Sequence, residues 1–274
     1  MSKVVSITLS DYDHPYNPGD VLRYNTPATP ADYDASRRTS EFALYDEYKR
    51  IARTDPSRAA LTNVRWTGKL PYAAVETYER LKAAFRAWRE EQRQKQDATF
   101  IELDAAFYIG WLSHYIADGA MPLHTSIHHD GWQGDDPNGY TRDGSIHSRF
   151  ESAYVDRIGL GESDIQSRVP TANRIADPFQ AILAHLARSH TRVEQVYALD
   201  QANAYSNATS SAARALVYTC TAEAATMLRD LVFTAWLESG EGAAAPGALD
   251  PTNPRRPEYN PATGSAPAPL PAPR

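Results

Sequence analysis

A chain of 274 residues is long enough to bury a full core in one large domain or two small ones. Its 42% hydrophobic and 10% aromatic content is that of a globular protein rather than a disordered one. The net charge of −6 gives no general electrostatic footprint for duplex nucleic acid, the lone Cys220 excludes an intrachain disulfide or a thiolate zinc site, and no run approaches the ~18 apolar residues of a membrane span.

Residues 1–38 are rich in Pro, Tyr, Asp and Asn, which is loop chemistry, and His14 is the one histidine before position 114. Residues 1–10 are too short and too polar a run for a signal peptide. A helix is expected over 39–53, with Phe42, Leu44, Tyr45, Tyr48 and Ile51 apolar, broken by Asp55-Pro56. Pro71 opens a second helix to about residue 96, with Val75, Tyr78, Leu81, Ala84, Phe85 and Trp88 as its buried stripe and the charge run 89–97 as a solvated face. A third helix spans 99–119 and a fourth 145–157, separated by a glycine-rich loop long enough to suggest function. Asp177 and Pro178 form an N-cap and first-turn pair for a fifth helix reaching 199, and a sixth covers 210–238, with Gly240 suited to its end and Cys220 a small core residue. Residues 241–274 are an Ala/Pro/Gly-rich tail expected to be disordered. No strand-rich segment competes, so the fold class is all-α, with residues 1–240 as the helical domain.

The chemistry concentrates between Gly110 and Glu151. His114 and Asp118 lie four apart on the third helix, so their side chains share a face. Pro122 stops that helix, and His124 follows at the bend. His147 and Glu151 repeat the four-residue spacing on the fourth helix. Two such pairs and a histidine at the turn supply five imidazole and carboxylate ligands, a set that suits zinc and is too small to fill two tetrahedral sites. Ordinary surface ion pairs use the same spacing, so the strength of the pattern is its repetition within about forty residues. His128 and His129 are read as surface loop histidines, His185 and His190 as structural, Trp111 and Tyr115 as core, and Arg149 as solvent-facing.

The quoted residues resemble the zinc-dependent phospholipase C and S1/P1 nuclease superfamily. Its pattern is a helix bearing His-Tyr-x-x-Asp, then Pro-x-His, then His-x-x-x-Glu or His-x-x-x-Asp. The matching stretches are Ser113-His-Tyr-Ile-Ala-Asp-Gly-Ala-Met-Pro-Leu-His124 and His147-Ser-Arg-Phe-Glu151, with Glu151 nearer the phospholipase branch. His14-Pro-Tyr-Asn-Pro18 is similar to that branch's early His-Phe-Tyr-Asn/Asp-Pro. The resemblance covers residues 10–240 and implies a multi-helix orthogonal bundle. It implies one zinc held by His14, His114 and Asp118 and a second by His124, His147 and Glu151, with Asp118 bridging toward a third and assigned to catalysis. It implies hydrolysis of a phosphodiester, either a phospholipid head group or single-stranded nucleic acid, by a secreted or periplasmic monomer with no stable protein partner.

The pattern departs at its start. The superfamily's N-terminal Trp, a nearby His and an Asp that serves as general base would all precede Met1, so the chain reads as lacking an N-terminal part and weak or no activity is expected of it. A catalytically inactive zinc-binding helical domain is the non-enzyme alternative. The Glu-x-x-His spacing of di-iron bundles is not seen between Gly110 and Glu151, and the His129-Asp130 dipeptide lacks the other ligands of an HD-type phosphohydrolase.

Overall fold

A computed structural model describes residues 53–54, 56, 70–126, 128–132 and 136–241. His14, most of the helix expected over 39–53 and the tail beyond 241 lie outside the described residues. Among the described residues the fold is helical, without strands.

Helix α1 (Leu70–Gln94) places Pro71 in its first turn, where a missing N–H leaves no helical bond unmade. It buries Tyr78, Leu81 and Ala84 and ends at Lys95, whose φ of 56° breaks the helical run. The charge run at its end is not all solvated. The Arg89 guanidinium lies 3.9 Å from the Trp236 ring centre and donates to Trp236 O and Ser239 Oγ, each at 2.9 Å. It satisfies a carbonyl in the last turn of the final helix, a role open to any long cation near a helix end.

Helix α2 (Thr99–Ala120) ends where Pro122 requires. The residue before a proline is pushed out of helical geometry, and Met121 is extended at φ −80°, ψ 111°. The chain then enters a 3-10 turn, Pro122–Thr125, with all four residues buried. Trp111 and Tyr115 pack into or against the core and bond to each other, Nε1 to Oη at 2.9 Å.

The segment expected as one regular helix over 145–157 is not regular. It runs as α3 (Ser145–Ser148), a π-helical stretch (Arg149–Tyr154) and α4 (Val155–Ile158). Widened turns of this kind are frequent at functional sites, and Glu151 lies inside this one. Short α5 (Glu162–Ile165) follows.

The helix expected over 177–199 is two: α6 (Pro178–His190) and α7 (Val193–Gln201). Asp177 caps α6 by accepting from Gln180 N at 3.1 Å. The break at Thr191 and Arg192 is closed by local bonds, Arg192 N to Ser189 O and Thr191 Oγ1 to Arg188 O. It lets α7 turn onto the 3-10 turn instead of continuing past it. Helix α8 (Ser211–Gly240) is capped by Ser210.

Helices α1, α2, α6 and α8 pack on one another around Leu81, Leu112, Ile116, Leu183, Leu186 and Leu231. A second core gathers Leu123, Ile146, Phe150, Tyr154, Val196 and Leu216 beneath the 3-10 turn and the π-helical stretch. Helix α8 serves both cores, and Cys220 is buried in the second. The 3-10 turn is clamped between the two. At Gly119, next to Asp118, an added Cβ would stand 3.0 Å from the Leu186 side chain and 3.3 Å from that of His185, so a larger residue would press these side chains back by a few tenths of an ångström.

Candidate metal centre

Three donor atoms converge from the 3-10 turn and the irregular helix. His124 Nε2 lies 2.9 Å from His147 Nε2, His147 Nε2 lies 2.9 Å from Glu151 Oε2, and His124 Nε2 lies 3.6 Å from the same oxygen. Tetrahedral zinc with ligand bonds of about 2.0–2.1 Å sets its donors roughly 3.3 Å apart, so the triangle is close to the size of a cation site. His124 is buried, His147 half-buried and Glu151 exposed, which leaves one side of the group open. Among the described residues it is the group of three suited to a metal ion.

The protonation pattern follows from a neighbour that sequence reasoning had set aside. Asp130 Oδ1 lies 2.9 Å from His147 Nδ1. Both ring nitrogens face carboxylates, Nδ1 toward Asp130 and Nε2 toward Glu151 at 2.9 Å, so without a cation the ring is drawn to the imidazolium. A cation would displace the Nε2 proton, and Asp130 would then keep the remaining proton on Nδ1. A carboxylate behind a histidine in this way orients metal-bound imidazoles and raises their basicity. Burial disfavours the His147 imidazolium, but Glu151 and Asp130 outweigh it and its pKa is raised. The imidazoles of His124 and His147 hold the Glu151 carboxyl far below its ordinary range, although burial opposes them.

The other expected pair stands one step away. Asp118 Oδ1 is 3.7 Å from His124 Nδ1, and Asp118 Oδ2 is 3.6 Å from His114 Nε2, both beyond hydrogen-bond reach. His124 Nδ1 and His114 Nε2 are buried without a hydrogen-bond partner. Orphaned ring nitrogens on either side of a carboxylate are costly unless something fills the gap. Burial pushes the Asp118 carboxyl up, against the pull of His124 and His114. His114, Asp118, His124, His147 and Glu151 therefore form one chain of donors, tight at the His147 end and loose at the His114 end. His14 lies outside the described residues.

Neighbouring residues brace this arrangement. His190 bonds Thr125 O at 2.7 Å, next to His124, and His185 Nε2 bonds Ile116 O at 3.0 Å on the ligand-bearing helix α2. Both histidines are structural, as expected, and burial lowers both pKa values, that of His185 to about 4. His128 is not a surface histidine. Its ring stacks on Trp132 at 3.8 Å and 3°, in a cluster with Tyr140 and Tyr197, and burial lowers its pKa to about 4. His129 is partly buried, its Nδ1 3.2 Å from Ser126 O. Arg149 does not face free solvent: it holds Asp200 through two bonds of 2.9 Å and Asp143 at 2.8 Å. Bonds from Ser145 and Arg149 keep the Asp143 carboxyl at about 2.

An Asp130→Asn protein is expected to bind metal ~10–100-fold more weakly, because the amide can donate to Nδ1 and favour the wrong tautomer. Competition with a chromophoric chelator measures it, and an unchanged affinity would mean that the His147 tautomer is set without Asp130.

A cavity of about 220 Å³ adjoins the donors, with Asp118 and Glu151 in its wall beside Met121, Phe150, Val155, Leu160 and Val217. Among the described residues no arginine or lysine lines it. Set against known proteins, the chain matches no family model, no curated protein and no solved structure.

Proposed function

We propose that this chain is a zinc-dependent phosphodiester hydrolase of the phospholipase C type, acting on a diester with an apolar arm. The observation that carries the reading is the convergence of His124 Nε2, His147 Nε2 and Glu151 Oε2 with Asp130 behind His147. The donor set is two imidazoles and one carboxylate, with no thiolate, which suits zinc and leaves a coordination position for water or substrate. The orphaned nitrogens of His114 and His124 beside Asp118 fit a further cation in the looser half. The motif resemblance to the phospholipase C and S1/P1 nuclease superfamily points the same way.

A zinc ion held there would lower the pKa of bound water toward neutrality and polarise a phosphoryl oxygen. The chain's own residues do the rest. Asp130 would hold the proton on His147 Nδ1, so that Nε2 turns its lone pair to the cation. Glu151 remains ionised across the neutral range and supplies negative charge to the cation. Asp118, half-shielded between His114 and His124, is the carboxylate placed to accept a proton within the donor chain. The apolar cavity takes the leaving group's hydrocarbon portion and excludes water from it.

The same cavity favours a lipid-like diester over single-stranded nucleic acid. Nucleic-acid grooves use cationic side chains to track the backbone, and this wall has none among the described residues. The test is metal content by mass spectrometry together with hydrolysis of bis-p-nitrophenyl phosphate, a short-chain phosphatidylcholine and single-stranded DNA. Weak turnover of the lipid that tracks metal content is expected. Preferential release of mononucleotides would move the assignment to the nuclease branch, and bound zinc with no turnover of any diester would leave a metal-stabilised, non-catalytic domain.

A further inference from the structure

A second cleft lies between α6 and α8, on the far side of α8 from the metal centre. Thr219, Glu223, Thr226 and Asp230 line it at three- and four-residue steps of one helical face. Val217, Cys220, Thr221 and Ala224, which wall the cavity beside Asp118 and Glu151, occupy the opposite face. The cleft has a volume of about 320 Å³, and Arg168 and Arg188 close it from the side.

Its two arginines and two carboxylates are not paired with one another. Glu223 is already held by the Arg192 guanidinium through bonds of 2.5 and 2.9 Å. Asp230 accepts from Arg229 at 2.5 and 3.0 Å and from Asn173 N at 2.9 Å. Arg188 makes no ion pair or side-chain hydrogen bond among the described residues, and Arg168 has the Tyr218 ring beside it, 5.6 Å away, but no carboxylate. The two carboxylates of the lining are thus held by Arg192 and Arg229, which stand outside it, and the two arginines of the lining, Arg168 and Arg188, have no carboxylate partner among the described residues. The hydroxyls of Thr219 and Thr226 are likewise uncommitted among the described residues.

We propose that this cleft is a second ligand site, for a small-molecule phosphomonoester dianion gripped by Arg168 and Arg188. Two guanidinium forks match a tetrahedral oxyanion, and two charges match a dianion. Threonine hydroxyls complete the oxygen contacts. The space exceeds what a bare anion needs and falls at the small end of ligand pockets, while Met227 offers an apolar floor for the carbon moiety. The site stands independently of the metal centre, because none of its lining residues belongs to the donor chain.

The probe is glycerol 3-phosphate, titrated calorimetrically into the full chain at low salt, with inorganic phosphate and glycerol alongside. Wild type is expected to bind glycerol 3-phosphate more tightly than inorganic phosphate and to ignore glycerol. Arg168→Gln/Arg188→Gln should weaken binding about tenfold or more, and His147→Ala should leave it unchanged. Both arginines are exposed, so the double variant should melt at the wild-type temperature, and Arg188→Lys should bind at an intermediate level. The proposal is overturned if wild type does not bind, if the double variant binds as wild type does, or if inorganic phosphate binds as tightly as the ester. Loss of binding in His147→Ala alone would also overturn it, by placing the ester at the metal centre.

Discussion

A His147→Ala protein is expected to lose its bound metal. Structural zinc sites are worth roughly 10–16 kcal/mol shared over about four ligands, so removing one of three donors should weaken binding about a thousandfold. His147 also holds the other members of the group in place, since its Nε2 touches both Glu151 and His124 while its Nδ1 is fixed by Asp130. Glu151→Gln should act in the same direction and less strongly, because the amide oxygen remains a weak donor. The fold should persist, because the carboxylates left behind, Asp130 and Glu151, are exposed enough to be hydrated. Metal content and chelator competition read the effect, with circular dichroism as the check on folding. Wild-type affinity in His147→Ala would remove the metal centre from this part of the molecule. The pH dependence has a definite sign. His147 must shed a proton to ligate, and its pKa is raised, so affinity should climb as pH rises through that raised value.

The second large effect is acid destabilisation through His185. This ring is buried, its Nε2 bonds Ile116 O at 3.0 Å and its Nδ1 has no partner, so the neutral form is the one the fold accepts. Burial lowers its pKa to about 4, against an ordinary value of about 6.5 in the unfolded chain. A histidine depressed in this way contributes stability that is complete above about pH 6.5 and is lost as pH falls toward about 4, amounting to roughly 3 kcal/mol. His147 in the metal-free protein works oppositely. Its raised pKa contributes stability that is full below about pH 6.5 and fades as pH rises through the folded value. Urea unfolding of the chelator-treated wild type and of His185→Gln at pH 7.5 and pH 5 separates them, because the difference between the proteins cancels the His147 contribution. The variant should be less stable at pH 7.5 and show a flatter pH dependence. Equal slopes would show that His185 is hydrated or finds a partner for Nδ1.

Local chemistry accounts for much of the framework. Pro71, Pro122 and the Asp177-Pro178 pair punctuate helices through the fixed φ and missing N–H of proline, and Ser210 and Asp177 cap theirs with side chains. Such effects act within three or four residues, so they are legible in the amino-acid order alone. The same range covers the pairing of His114 with Asp118 and of His147 with Glu151, and it explains why the all-α class and the candidate donors could be named from the chain.

Other features lie beyond that range. The helix over 177–199 carries no proline or glycine at its break. The division at Thr191 and Arg192 comes with α7 packing on the 3-10 turn and the second core. The charge run after Arg89 looks solvated until Trp236, 147 residues on, is packed beside it. Arg149 finds Asp200 across 51 residues, and the π-helical widening around Glu151 has no mark in the composition of that segment.

At the centre itself, the amino-acid sequence alone determined which side chains bear donors and which of them share a helical face. Tertiary structure decided that His124 meets His147 across 23 residues and that Asp130, 17 residues before His147, sets that ring's proton. Those contacts depend on how a clamped turn and a loop are closed against two cores. No local periodicity records that closure, because its free energy is spread over the packing of both cores rather than over the residues that finally touch.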